Sequence, residues 1–174
     1  MKTGNIEKIY TEHHKDIYKF LICFTGSKNE AEDLTQEVFI RVIKSINNFN
    51  GSCTFTTWIF SIAKHTAIDH FRRKKFYSIM KDSFFKNMAS TDSDPEQLLI
   101  HDESKSQVHQ AILQLKPSYR AVIILRGINE FTVAETADIL NCSTSKVKVT
   151  YHRALKKLKN DIEISEMKEV LKNA

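Results

Sequence analysis

The stretch TVAETADILNCSTSKVKVTYHRALKKLK, residues 132–159, decides how this chain is to be read. Thr132-Val133-Ala134-Glu135 is a capping box, in which the hydroxyl accepts from the amide three residues on and the glutamate reaches back to the threonine. It opens a short helix with Val133, Ala137 and Leu140 on one face. Asn141-Cys142-Ser143 makes the turn: asparagine tolerates the left-handed conformation that ends a helix, and Ser143 suits the cap of the next. On that second helix Val147, Tyr151, Ala154, Leu155 and Leu158 recur at helical spacing and are expected to face inward. The opposite side carries Ser145, Val149, His152, Arg153 and Lys156, flanked by Lys146, Lys148 and Lys159, with no acid before Asp161. A short helix, a tight turn and a longer basic helix is the geometry that seats a recognition helix in the major groove. A merely solvated basic face is the plain alternative. The capped short helix and the small Ala137 near the crossing favour DNA.

Composition agrees with a helical, polyanion-binding chain. Only 4 Gly and 2 Pro occur in 174 residues, and the net charge is +5. Hydrophobic residues make up 41%, enough to bury a core. Cys23, Cys53 and Cys142 are too widely spaced for a zinc site and are expected to be reduced, as in a cytoplasmic protein. The N-terminus lacks the apolar core of a signal peptide, and no apolar run reaches the length of a membrane span, so no membrane insertion is expected.

Working outward from the helix-turn-helix, Pro117 starts a helix to about Arg126, and another precedes it through Val108, Ile112 and Leu115. Between Tyr77 and Lys105 the periodicity weakens. There Asp82, Asp92, Asp94, Glu96, Asp102 and Glu103 outnumber the lysines, and Asp94-Pro95 is expected to cap a new helix. Towards the N-terminus, Ile6 to Phe24 has mostly helical spacing, and Ser27-Lys28-Asn29-Glu30 is a second capping box. The helix it opens runs to about Ser45, with Ala31, Leu34, Val38 and Val42 inward. After the loop residues Asn47 to Ser52, a third helix spans about Thr54 to Lys75 and ends in Arg72-Arg73-Lys74-Lys75. Trp58, Ser61, His65, Asp69 and Arg72 share a narrow sector of that helix, and Ile59, Phe60, Ala63, Ala67 and Phe71 form its packed side. The reading is all-α: two small helical domains joined by a flexible acidic linker.

Three function classes compete. A stand-alone helix-turn-helix regulator would bind palindromic duplex as a dimer and would not need the helices around Asp33-Leu34-Thr35-Gln36-Glu37 and Trp58 to Lys75. A nucleic-acid enzyme would show paired carboxylates, a metal-ligand cluster, a Walker loop or a nucleophile elbow, and the sequence offers none; no metal or other cofactor is called for. The third class follows from three blocks: Glu30-Ala31-Glu32-Asp33-Leu34-Thr35-Gln36-Glu37-Val38-Phe39, Phe55-Thr56-Thr57-Trp58-Ile59-Phe60-Ser61-Ile62-Ala63, and Ala67-Ile68-Asp69-His70-Phe71-Arg72-Arg73. They strongly resemble region 2 of the extracytoplasmic-function (group IV) sigma factors of the sigma-70 family. Leu113-Gln114-Leu115-Lys116-Pro117, Arg120 and the helix-turn-helix resemble region 4 of the same family.

The resemblance implies a bacterial, non-enzymatic transcription initiation factor. Residues 1–76 would be region 2, 77–104 the linker, 105–162 region 4 and 163–174 a C-terminal tail. It further implies that Asp33, Gln36 and Glu37 dock on the clamp coiled coil of the largest subunit of core RNA polymerase, with the polymerase flap as a second contact. Helix N-terminal acids favoured by the macrodipole are the bland reading; that accounts for Glu30 and Glu32 better than for Gln36 and Glu37. The minus-ten element would be taken as single strand, one base flipped into a pocket made largely by Phe49 to Thr57. Asn50, Ser52, Thr54, Trp58, Lys64, His65, Arg72 and Arg73 are the residues assigned there, since splayed bases need stacking faces and cationic phosphate partners. Trp58 serves equally well as a core aromatic. His65 departs from the family, where many members carry Asn, and cannot make a bidentate amide contact. The minus-35 element of promoter DNA falls to Ser145, Lys146, Lys148, Val149, His152, Arg153 and Lys156. Many relatives have Gly-Thr-Val-Lys/Arg-Ser-Arg where this chain has Ser145-Lys146-Val147-Lys148-Val149-Thr150, so a different base preference is expected. The family also implies an anti-sigma factor as partner, in many cases membrane-anchored, and a linker that threads the polymerase cleft.

Overall fold

The computed structural model describes residues 3–84 and 103–172, with side chains over 6–78 and 107–163. Its elements in order are α1 (Thr3–Thr25), α2 (Lys28–Ser45), α3 (Phe55–Phe84), α4 (Glu103–Gln114), α5 (Pro117–Ile123, prolonged by a π turn over Ile124–Ile128), α6 (Val133–Leu140) and α7 (Thr144–Lys172). No strand occurs among the described residues, and the chain is all-α. The Asp94-Pro95 start and the core of the acidic linker lie outside the described residues. No described helix is long and apolar enough to cross a membrane.

Local chemistry sets most helix ends. Ser27 caps α2 through a bond from the Glu30 amide (3.4 Å), but the Glu30 carboxylate does not close the box: it accepts from Lys74 Nζ on α3 at 2.5 Å instead. Gly26 ends α1 with φ +74°, the left-handed conformation that glycine adopts without strain. Pro117 sits at the first position of α5. The α3 helix continues to Phe84, past the expected end near Lys75, because Lys, Arg, Phe, Tyr and Met all tolerate a helix and no Gly or Pro interrupts residues 52–94.

Two helical layers form around buried stripes. In the N-terminal module Ile17, Phe20, Leu21 and Phe24 of α1 meet Leu34, Val38 and Val42 of α2 and Ile59, Phe60 and Ala63 of α3. In the C-terminal module Ile112, Leu115, Val122, Ile124 and Leu125 meet Ile139, Val147 and Ala154. The sequence suggests two tethered domains, yet the two stripes join into one continuous core. Phe60 of α3 packs edge-on against Phe131 before α6 (4.6 Å between centroids), which buries both rings. Lys19 Nζ donates to the Ile128 carbonyl at 3.2 Å. Arg120, only 6% exposed, donates across the junction to the Phe24 carbonyl (2.6 Å) and within its own module to the carbonyls of Leu115 (3.1 Å) and Leu113. Those bonds offset the burial that otherwise disfavours its charge. Leu113 rests directly on Gly26, where any Cβ would lie 2.5 Å from its Cδ1.

Candidate nucleic-acid interface

The helix-turn-helix forms as its local chemistry dictates. Thr132 and Glu135 close a full capping box: the hydroxyl accepts from the Glu135 amide at 3.2 Å, and the carboxylate accepts from the Thr132 amide at 2.8 Å. These bonds, the Thr132 hydroxyl's first, hold the Glu135 carboxyl below the ordinary carboxylate range. Asn141 ends α6 at φ 51°, and the Ser143 hydroxyl accepts from the Lys146 amide at 3.2 Å to start α7. Val147 and Ala154 are buried, with Tyr151 and Leu158 half-buried beside them. Leu155, expected inward, is 42% exposed, because the seam that α7 buries is narrower than the sequence stripe. The inner face of α6 is likewise shifted: Thr136, Ala137 and Ile139 are buried, and Val133 and Leu140 only partly.

Ser145, Lys146, Lys148, Val149, His152, Arg153 and Lys156 are all exposed, Val149 at 48%. Among the described residues no ion pair engages Lys146, Lys148, Arg153 or Lys156, so this face is a row of free donors around one apolar contact. Beside it lies a cleft of about 560 Å³ lined in part by Lys116, Tyr119, Arg153, Lys156 and Lys157. Lys116 stands over the Tyr119 ring at 4.1 Å and extends the basic surface beyond the recognition helix. In the sequence Lys116 stands out only as part of the Leu113–Pro117 block that resembles region 4.

The region assigned to the minus-ten element is arranged differently. Gly51 turns the loop before α3 at φ +75°, and Asn50 Oδ1 accepts from the Ser52 amide at 3.0 Å. Thr54 caps α3, its hydroxyl accepting from the Thr57 amide at 3.1 Å. Phe49, Phe55 and Trp58 form an aromatic triangle with centroids 5.3–5.4 Å apart. Trp58 is half-buried in it and packs against the core. His65 is exposed and held at both nitrogens: Nδ1 lies 2.7 Å from the Ser61 carbonyl and Nε2 2.9 Å from Lys64 Nζ. A carbonyl only accepts, so Nδ1 carries the proton and Nε2 accepts from the ammonium. Lys64 itself is only 5% exposed. It lines a cavity of about 190 Å³ shared with Ile68, Cys142, Lys146 and Val147, beneath the turn of the helix-turn-helix. Burial pushes its ammonium down from the ordinary lysine value, with Cys142 and Asp69 acting in the opposite direction. Arg72 and Arg73 are exposed, but Arg73 leans on Glu37 at 3.9 Å.

Of the residues expected to dock on polymerase from α2, Asp33 and Gln36 are exposed and Glu37 is partly covered by Arg41 at 2.5 Å. Ile40 (52% exposed) and Ile43 (45%) continue the Gln36 face at helical spacing. They are apolar side chains left outside the fold, a feature that marks a partner surface more than it serves packing. An i, i+4, i+7 count from Gln36 identifies them in the sequence.

Comparisons with known proteins agree with this geometry. The family model for Sigma-70 region 2 matches residues 9–77, and the model for Sigma-70, region 4 matches 105–158. The ECF RNA polymerase sigma factor SigX of Bacillus subtilis (strain 168) is 39% identical over 160 residues, covering 90% of this chain and 82% of that protein. RNA polymerase sigma factor YlaC of the same organism is 33% identical, covering 95% and 96%. Among solved structures, the sigma factor RpoE from Bartonella quintana, in complex with the anti-sigma factor NepR, shares the fold with a TM-score of 0.73 at 19% identity, covering 93% of this chain and 99% of that one. The stand-alone regulator and the nucleic-acid enzyme are thereby set aside. The chain belongs to the extracytoplasmic-function RNA polymerase sigma factors.

Proposed function

We propose that this sigma factor docks on the clamp coiled coil of core RNA polymerase through Asp33, Gln36 and Glu37, extended by Ile40 and Ile43. It takes the minus-ten element as single strand along the 49–54 loop and α3, and reads the minus-35 element in the major groove with α7. The labour divides into residues 1–76 and 105–162, with 77–104 as the acidic linker, 163–174 as a tail and the polymerase flap as partner of the second module. The observation that carries the reading is the exposed, acid-free face of α7 on the same chain as an exposed docking face on α2. The chain acts in the cytoplasm, where its polymerase and promoters are. An anti-sigma factor holds it in check, as the NepR complex of its Bartonella relative suggests by analogy.

The two promoter elements lie roughly 25 base pairs apart, about 85 Å along the duplex at 3.4 Å per step. Here α3 and the turn before α7 share one small cavity. The modules therefore separate before both elements are read, and core polymerase is the partner that separates them. Transcription in vitro by core polymerase, with start sites mapped across the genome with and without the chain, tests the reading. New start sites sharing one pair of upstream elements are expected. Tight, specific binding to a palindrome in the absence of polymerase contradicts it.

A further inference from the structure

Between the docking helix and the strand-reading helix runs a chain of alternating charges. Asp69 of α3 lies 4.0 Å from Arg41 Nη1, the other end of that guanidinium lies 2.5 Å from Glu37 Oε1, and Glu37 Oε2 lies 3.9 Å from Arg73 Nη2. The order is acid, base, acid, base, with the inner pair on α2 and the two outer groups on α3. Glu37 belongs to the proposed polymerase face, while Asp69 and Arg73 flank the proposed path of the DNA strand. One carboxylate thus holds a cation that the strand's phosphates need. One guanidinium divides itself between that carboxylate and an acid the phosphates would repel.

We propose that Arg41 and Glu37 form a charge latch that couples polymerase docking to capture of the minus-ten strand, a proposal that rests on the docking role assigned to Glu37. When a basic partner helix engages Glu37, Arg73 is released to the phosphates and Arg41 turns wholly onto Asp69, neutralising it. Docking then gains one free cation and loses one free anion along the strand, with no helix moving. Arg41 is a positioning residue: it touches neither polymerase nor base. All four side chains are partly exposed, so each pair is weak and screened by salt. The coupling is accordingly a matter of several-fold, and it deepens at low salt.

The test uses the full-length chain and a fluorescein-labelled single-stranded oligonucleotide spanning the minus-ten element of a promoter whose start site has been mapped. Glu37→Gln is expected to bind core polymerase more weakly, yet the free variant binds the oligonucleotide about threefold or more tighter than the parent. Its log–log salt slope should steepen by about 0.7, as one more phosphate contact requires. Glu32→Gln is the control, since Glu32 is exposed on the same helix and pairs with nothing among the described residues; it changes net charge equally and is expected to leave the affinity nearly unchanged. Arg41→Gln is expected to keep core binding while lowering strand affinity of the assembled holoenzyme several-fold. If Glu37→Gln weakens docking but binds the oligonucleotide no better than Glu32→Gln, the latch is overturned and the docking role stands. If Glu37→Gln leaves core binding unchanged, the docking role falls and the coupling falls with it. An Arg41→Gln holoenzyme with parental strand affinity also overturns the latch.

Discussion

The two promoter-facing helices of this chain are in opposite states. On α7 the assigned residues stand exposed with no acid against them, and the turn before it is fixed by three local caps at Thr132, Asn141 and Ser143. On α3 several cations are engaged: Lys64 is buried under the helix-turn-helix, Arg73 rests on Glu37 and the neighbouring Lys74 on Glu30, while Arg72 stands exposed. The proposed minus-35 face is open in the free chain, and the proposed strand-reading face is partly covered, at Lys64 and Arg73. The difference follows from what each must bind. Duplex grooves have a fixed shape that a rigid helix can meet ready-made. A melted strand exists only once polymerase is present, and a free row of cations on α3 would draw any nucleic acid beforehand.

The comparison breaks most severely at Arg120, which closes the junction that masks α3. Arg120→Ala strips the buried carbonyls of Phe24, Leu113 and Leu115 of their donor and is expected to cost about 3 kcal/mol or more in chemical denaturation. A loss of under about 1 kcal/mol would mean that the junction contributes little. The open face is probed by Arg153→Ala, expected to lose about 1–3 kcal/mol on the cognate minus-35 element and to relax preference at one position. Lys159→Ala, whose lysine leans on Glu163 at 3.7 Å, should instead lower binding slightly and equally on all sequences. Matched losses for both variants on every sequence would argue against base reading by Arg153.

The smallest effect belongs to the local cap behind the open face. Thr132→Ala is expected to cost about 1 kcal/mol of stability near neutral pH. Because the folded-state pKa of Glu135 is depressed, its contribution is present above the ordinary carboxylate value of about 4.5 and is lost as pH falls through the folded value. The gap between parent and variant in denaturation midpoints should therefore narrow below that pH. A gap independent of pH would leave the Glu135 carboxylate without a part in the cap.

Legibility in the sequence divides along the same line. The helix-turn-helix is readable because a capping box, a left-handed asparagine and a serine cap act over three or four residues. The covered face is not, because its partners are distant in the chain. Glu30 and Lys74 are 44 residues apart, and Arg120 meets Phe24 across 96. Ser27-Lys28-Asn29-Glu30 spells a capping box, yet only the serine half forms, since the lysine on α3 competes for the carboxylate. Lys64 lies on α3, where its spacing puts it; its burial arises from the second module, which no pattern within 55–75 encodes. The same holds for the joined core, since Phe60 and Phe131 each read as ordinary core positions of their own modules.

Amine footprinting of Lys64 tests most directly the claim that the free chain keeps its strand-reading head covered until core polymerase uncovers it. The free chain, the chain with promoter duplex and the chain with core polymerase are acetylated briefly and the modification of Lys64 is read by mass spectrometry against exposed Lys148. Low modification in the first two states, and a rise to near that of Lys148 with core polymerase, is the predicted result. Full modification of Lys64 in the free chain, or no change when polymerase binds, would contradict the account.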